Sequence, residues 1–271
     1  MPKVCLVTGA SAGIGLATAL ELRRAGHVVY GAARRVPLMD PLRDAGGHAL
    51  AMDAANPDDL DRTVAAVLAA EGRVDVLVNN AGTVLHGAVE DVPLALARAE
   101  FEVNVFAPAR LVQLVLPAMR AQRSGTIVNV SSIGGEIALP LGSWYYASKH
   151  ALEAFSDTLR MEVAPFGVRV VIVQPGIIRT GFEDRTADQL REYSGAGAYG
   201  EMAEAMARRG EEGLAEASDP SVVATTIRAA VESADPDTRY PVGWLADKLL
   251  ELNRTLPDRD FDALASRSVS S

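Results

Sequence analysis

The sequence predicts an α/β fold: a doubly wound, mostly parallel sheet of seven strands with helices on both faces, in a single domain. Three observations carry that expectation. Short apolar runs of strand character alternate with segments of helical period along most of the chain, which requires crossovers between parallel strands. The first strand feeds a glycine-rich turn that opens a helix. The polar residues suited to chemistry follow strands, at the carboxyl edge where such sheets bind ligands. At 271 residues the chain suits one large domain, and 49% hydrophobic with 23% charged residues is the balance of a globular protein with a sizeable core.

Bulk properties exclude some functions. A net charge of −9 argues against nucleic acid or an anionic membrane as partner. Cys5 is the only cysteine, so the chain forms no internal disulfide and no cysteine-based metal cluster; it sits in the run Val4-Cys5-Leu6-Val7 and reads as a core thiol. The four histidines (His27, His48, His86, His150) show no ligand spacing, so no metal is expected. With no signal peptide and no run of 18 apolar residues, a cytoplasmic location is the default expectation.

Residues 3–8 read as a buried strand, followed by Thr8-Gly9-Ala10-Ser11-Ala12-Gly13-Ile14-Gly15 and a helix from Leu16 to Ala25. Glycines there let the backbone approach a pyrophosphate, and the helix start offers free N–H groups. A tight βα connection is the other reading. The second strand, 27–33, ends in Arg34-Arg35. An acid at this place would bind a ribose 2′-hydroxyl; two guanidiniums instead suit a 2′-phosphate, which favours NADP over NAD, against the alternative of a solvated pair.

A short helix near 38–45 precedes a third strand, His48 to Met52, that ends at Asp53. The helix 57–71 opens with Pro57-Asp58-Asp59, a favourable first turn. The fourth strand, 74–78, ends in Asn79-Asn80-Ala81-Gly82. The long helical stretch 94–121 carries Asn104 among apolar neighbours, where an amide needs a partner and a structural hydrogen bond is the default. The fifth strand, 125–130, ends in Ser131-Ser132, and the sixth, 168–173, in Gln174-Pro175-Gly176.

Between these two strands lies a helix running to about Pro165, with Tyr145 and Lys149 one turn apart on one face. An ammonium favours a nearby phenolate, so the two form a candidate acid/base pair, in a chain with only three lysines. Residues 181–218 are read as a lid, with Met202, Met206 and Phe182 as adaptable apolar lining; a disordered insertion is the alternative. A helix at 220–232, a strand at 239–242 and an amphipathic helix from Trp244 to Leu252 close the pattern.

These ordered motifs resemble the short-chain dehydrogenase/reductase family over nearly the whole length: Thr8 to Gly15, Asn79 to Gly82, Asn104, Ser132, Tyr145-x-x-x-Lys149 and Pro175-Gly176. The resemblance implies a Rossmann-type sheet and a nicotinamide cofactor. It makes Tyr145 the acid/base at the substrate oxygen, with Lys149 lowering its pKa and bonding the nicotinamide ribose. Ser132 would hydrogen-bond the carbonyl oxygen, and Asn104 would hold a water that relays protons to Lys149. Gly9, Ser11, Gly13, Ile14, Gly15, Asp53, Asn80, Ala81 and Gly82 would line the cofactor site. Asp53 and Asn80 would lie on the cofactor's adenine and ribose side, Pro175 and Gly176 would also contact it, Ile178 and Thr180 would touch the carboxamide, and Arg34 with Arg35 would take the 2′-phosphate. Ala12 stands where some NADP-preferring members carry a basic residue, which leaves phosphate selectivity mainly to Arg34. The tail Arg239-Tyr240-Pro241-Val242-Gly243 resembles bacterial relatives of 17β-hydroxysteroid and retinol dehydrogenases.

The resulting expectation is an NADP(H)-dependent oxidoreductase interconverting a ketone or aldehyde and its alcohol. Its cleft walls are expected from Ile137, Leu139, Leu141, Trp144, Ile177 and Phe182, for a medium-to-large apolar substrate. A ketoreductase for acyl-thioester or polyketide substrates is the alternative among enzymes, and a non-catalytic NADP sensor the alternative outside them. The family resemblance implies a homodimer or homotetramer.

Overall fold

Neighbouring residues of a buried strand point to opposite faces of its sheet, and here that alternation sorts the helices. Val4, Leu6, Leu77, Ile127 and Val170 pack in one core with Leu60, Val64, Leu111, Val115 and Leu159. Cys5, Val7, Val76, Val78, Val128 and Val171 pack in the other with Ala19, Leu22, Leu42, Val223 and Ile227. Strands covered on both sides need near-continuous apolar sequence, which residues 4–7 and 76–78 have.

The computed structural model describes residues 1–267, apart from the side chains of residues 182–184. The strands are β1 (Val4–Thr8), β2 (Val28–Ala33), β3 (His48–Ala51), β4 (Val76–Asn79), β5 (Gly125–Val130), β6 (Val168–Pro175) and β7 (Arg239–Val242). They form one sheet in the order β3-β2-β1-β4-β5-β6-β7. Every pairing is parallel, so "mostly parallel" becomes wholly parallel.

Helices α3 (Pro57–Glu71), α5 (Ala107–Gln122) and α6 (Ser143–Val163) cover the first face; α1 (Gly13–Arg24), α2 (Asp40–Asp44) and α9 (Pro220–Glu232) cover the second. The stretch expected as one helix over 94–121 is broken. Helix α4 (Leu94–Phe101) passes into α5 through a π-helical turn at Glu102–Phe106. Residues 181–218 carry two helices, α7 (Phe182–Ser194) and α8 (Gly200–Gly213), packed as a hairpin. The last expected helix is α10 (Ala246–Thr255), and a further one, α11 (Asp258–Arg267), follows it. Among the described residues no helix is long and apolar enough to cross a membrane.

The chain leaves β3 at one edge and returns as β4 beside β1, so strand order reverses between β1 and β4. That reversal opens a crevice at the carboxyl ends of the strands.

Candidate active site

Thr8, at the end of β1, holds the two sides of the crevice together. Its buried hydroxyl accepts the N–H groups of Asn80 (3.0 Å) and Ala81 (2.9 Å) beyond β4, while the Asn80 amide donates to the Thr8 carbonyl at 2.8 Å. The crevice is a cavity of about 550 Å³. Its lining includes Gly9, Ser11, Gly13, Ile14 and Gly15, then Arg34, Arg35 and Asp53, then Asn80, Ala81 and Gly82. Ser132, Tyr145, Lys149, Pro175, Gly176, Ile178 and Thr180 line the same space. Residues spread over 170 positions of sequence thus meet because each follows a strand or faces one.

The glycine turn fits a dinucleotide. Gly9 has φ +69°, and a Cβ there would lie 2.8 Å from Asn80 Nδ2. A Cβ on Gly15 would collide with the same amide nitrogen and with the Gly9 carbonyl. Helix α1 begins at Gly13 with no side-chain cap and no acid in its first turn. Its free N–H groups and positive dipole end therefore remain available to an anion. At the end of β2, Arg34 and Arg35 are exposed, and neither forms an ion pair among the described residues.

Helix α6 buries a stripe at helical spacing: Tyr146, Lys149, Leu152, Glu153, Ser156, Leu159 and Val163. Polar groups in that stripe are costly unless partnered. Lys149, 7% exposed, donates from Nζ to the Val130 carbonyl at 3.1 Å and lies 5.9 Å from the Tyr145 ring centroid. Burial lowers the Lys149 pKa to about 8, opposed by the carboxyls of Glu100 and Glu153. Glu153 accepts from Gln174 (3.1 Å) and from Arg239 of β7 (3.1 Å), and Arg239 also reaches Asp157. Tyr146 is buried, and burial pushes its phenol up, so Tyr145 is the member of the pair that faces the cavity. Ser132 Oγ accepts the Gly134 N–H at 3.0 Å, which leaves its own O–H to donate.

Asn104 sits within the π turn and is 1% exposed. Its Oδ1 accepts the Thr83 N–H at 2.8 Å; its Nδ2 donates to the Thr83 carbonyl at 3.0 Å and lies 3.0 Å from Ser148 Oγ. The structural bond expected for it is present. Of the site residues singled out in the sequence, Asn104 alone is absent from the cavity lining; it braces the loop behind it.

The expected cleft walls are differently placed. Ile137 and Leu139 pack with Leu250 and Phe261 of α10 and α11. Leu141 packs with Ala187 and Leu190 of α7, and Trp144 with Leu85, Val92 and Tyr193. The Phe182 side chain lies outside the described residues. Met202 and Met206 join α8 to α7 instead of lining the cavity. Apolar lining comes instead from Val84, Leu85, Leu96, Ala99 and Val103, and the hairpin presents Arg185, Gln189 and Tyr193 at successive turns of α7.

Sequence reasoning weighed His86 only as a histidine without ligand spacing, and it passed over Glu100. His86 is buried, its ring 5.7 Å from that of Tyr145, and burial lowers its pKa to about 4. Glu100 is a cavity-lining carboxyl only 1% exposed. Its position four residues before Asn104 was the available signal, since i and i+4 share a helix face.

A parallel sheet with a glycine cradle at its switch point, and a Ser–Tyr–Lys cluster on the same cavity, defines the class as a dinucleotide-type α/β oxidoreductase. The family model described as short chain dehydrogenase matches residues 3–191. A probable short-chain type dehydrogenase/reductase of Helicobacter pylori, VdlC, is 34% identical over 261 residues, covering 96% of each chain. A 3-ketodihydrosphingosine reductase of Bacteroides thetaiotaomicron is 40% identical over 184 residues, 68% of this chain and 66% of that protein. The crystal structure of a short-chain dehydrogenase from Streptomyces avermitilis superposes with a TM-score of 0.80 at 36% identity, covering 98% of this chain and 94% of that one. The chain belongs to the short-chain dehydrogenase family.

Proposed function

We propose that the protein is an NADP(H)-dependent oxidoreductase that interconverts a ketone or aldehyde and its alcohol on a medium-to-large apolar substrate. The observation that carries the cofactor preference is the Arg34–Arg35 pair, unpaired with acids among the described residues and lining the same cavity as Tyr145 and Lys149. Two guanidinium forks match a 2′-phosphate, and the glycine turn with the open start of α1 suits the pyrophosphate. Asp53, Asn80, Ala81 and Gly82 take the adenosine side, and Pro175, Gly176, Ile178 and Thr180 the nicotinamide side.

A reduced nicotinamide supplies a hydride when bound. During reduction, Ser132 donates a hydrogen bond to the substrate oxygen and Tyr145 gives it a proton as negative charge develops there. The Lys149 ammonium, within the field of the Tyr145 ring, stabilises the phenolate left behind. Asn104 fixes the loop that carries Thr83, and the α7–α8 hairpin acts as the lid. Val84, Leu85, Leu96 and Val103 support an apolar substrate body, in keeping with a relative that is a 3-ketodihydrosphingosine reductase. The reading includes a homodimer or homotetramer, for which exposed Leu94 and Phe106 offer contact surface.

The test is NADPH consumption over aliphatic, aromatic and steroidal carbonyls, with NADH in parallel, for the parent and Tyr145→Phe. The expected result is turnover preferring NADPH, reduced at least ~100-fold in the variant while NADPH still binds. Undiminished turnover in Tyr145→Phe would overturn the mechanism, and an NADH preference would overturn the cofactor assignment.

A further inference from the structure

Glu100 is a buried acid on the cavity that the roles above leave unused. One carboxylate oxygen, Oε1, lies 3.5 Å from Asn104 Nδ2; the other, Oε2, is buried without a hydrogen-bond partner among the described residues. The Leu85 N–H is close enough to oppose the effect of burial on the carboxyl. On the far side of the Asn104 amide stands Lys149: a Cβ on Gly82 would lie 3.3 Å from Asn104 Oδ1 and 3.9 Å from Lys149 Nζ. The carboxyl, the amide and the ammonium therefore share one small region behind Tyr145.

The surrounding charges are few. Helix α6 offers Lys149 and, one turn on, Glu153, which Arg239 already neutralises. The same helix contributes the phenols Tyr145 and Tyr146, and the loop after β4 contributes His86, held neutral by burial. Arg98 and Glu102 flank Glu100 on its own segment. Burial raises the Glu100 carboxyl to about 8, opposed by Lys149 and the Leu85 N–H. Glu100 is in turn the larger of the two charges that hold Lys149 up against burial.

We propose that Glu100 is a positioning residue for the Tyr145–Lys149 pair: its buried carboxyl, with one oxygen toward the Asn104 amide and the other unpartnered among the described residues, sets the field in which the Lys149 ammonium is held. An ionised Glu100 favours the charged form of Lys149 against the burial that disfavours it. The alkaline limit of turnover is then set by the carboxyl–ammonium pair and not by the amine alone. This deepens the Tyr145–Lys149 reading and rests on it.

The experiment is Glu100→Gln, which keeps size and hydrogen bonding but cannot ionise. With only Lys3, Lys149 and Lys248 in the chain, ¹³Cε-lysine labelling gives three resonances, and Lys149→Arg assigns the one of interest. The Lys149 midpoint is expected to fall by about one pH unit in the variant. The alkaline limb of kcat/KM should move with it, whereas a merely structural role would leave both the midpoint and the limb in place. An unmoved Lys149 midpoint would overturn the inference. Because that titration needs no substrate, it stands even if no carbonyl is turned over, an outcome that would count against the proposed function instead.

Stability gives a second reading. Glu100 has a folded-state pKa above its unfolded one, so folding takes up a proton between about pH 4 and 8, and the cost of burying the carboxyl grows as pH rises through that window. Glu100→Gln and the parent should melt alike below about pH 4, with the variant several degrees more stable at pH 8. A variant with no advantage at pH 8 would also overturn the inference.

Discussion

The side-chain amide of Asn104 clasps the main chain of Thr83 in both directions, accepting its N–H at 2.8 Å and donating to its carbonyl at 3.0 Å. A side chain is thereby standing in for a strand neighbour, and the loop leaving β4 is fixed where no strand continues. Asn104→Ala would leave two part-buried main-chain groups of Thr83 unmatched, at a total cost of about 1–3 kcal/mol. Chemical denaturation should show a loss of that order. Asn104→Asp, which sets a carboxylate oxygen against the Thr83 carbonyl and the Glu100 carboxyl, should lose more.

Arg34→Ala should raise the KM for NADPH by about 10- to 100-fold, the range of a lost charge-assisted hydrogen bond, and leave the KM for NADH nearly unchanged. Arg35→Ala should have a smaller effect. Steady-state kinetics with both cofactors check this; equal losses with NADH would mean the arginines act on something other than the 2′-phosphate.

Gly9→Ala combines a left-handed backbone with a Cβ 2.8 Å from Asn80 Nδ2, at the junction that Thr8 ties together. The expected outcome is a protein destabilised by about 1–3 kcal/mol with its dinucleotide affinity lost. Calorimetry and NADPH fluorescence read the two effects separately. Gly72→Ala, also at positive φ but with nothing within 4 Å, should cost stability alone.

His86 makes stability fall in acid. Its folded value of about 4 lies below the ordinary histidine value, so between about pH 6.5 and 4 the unfolded chain binds a proton that the folded one refuses. Stability should decline through that window by about 2–3 kcal/mol. His86→Phe retains a ring beside Tyr145 and should flatten that part of the curve in urea melts at graded pH.

Much of this site was legible because strand ends are legible. Apolar runs such as residues 4–8 and 125–130 can be buried on two faces in few ways, and the residue after each run must emerge at the carboxyl edge. That argument reached Asp53, Asn80, Ser132 and Pro175 without any contact being known. It could not reach the π turn at 102–106, because a one-residue slip in helical hydrogen bonding leaves the apolar period nearly unchanged. Nor could it separate burial from lining. Ile137 and Leu139 are apolar and close in sequence to Tyr145, but α10 and α11 cover them, and α11 was not foreseen. Glu100 was passed over because an acid in an otherwise helical stretch reads as solvated until its neighbours are placed.

Arg239 sits 86 residues after Glu153, on the last strand to be made, yet it neutralises an acid in the middle of α6. During synthesis, α6 leaves the ribosome long before this arginine. Until residue 239 follows, closing α6 onto the sheet would bury a carboxylate whose cation has not yet been translated, a cost of about 3–5 kcal/mol for an unpaired charge. A chain cut short before β7 would leave Glu153 without that cation, and its α6 is expected to pack less firmly on the sheet and to be cut sooner by protease.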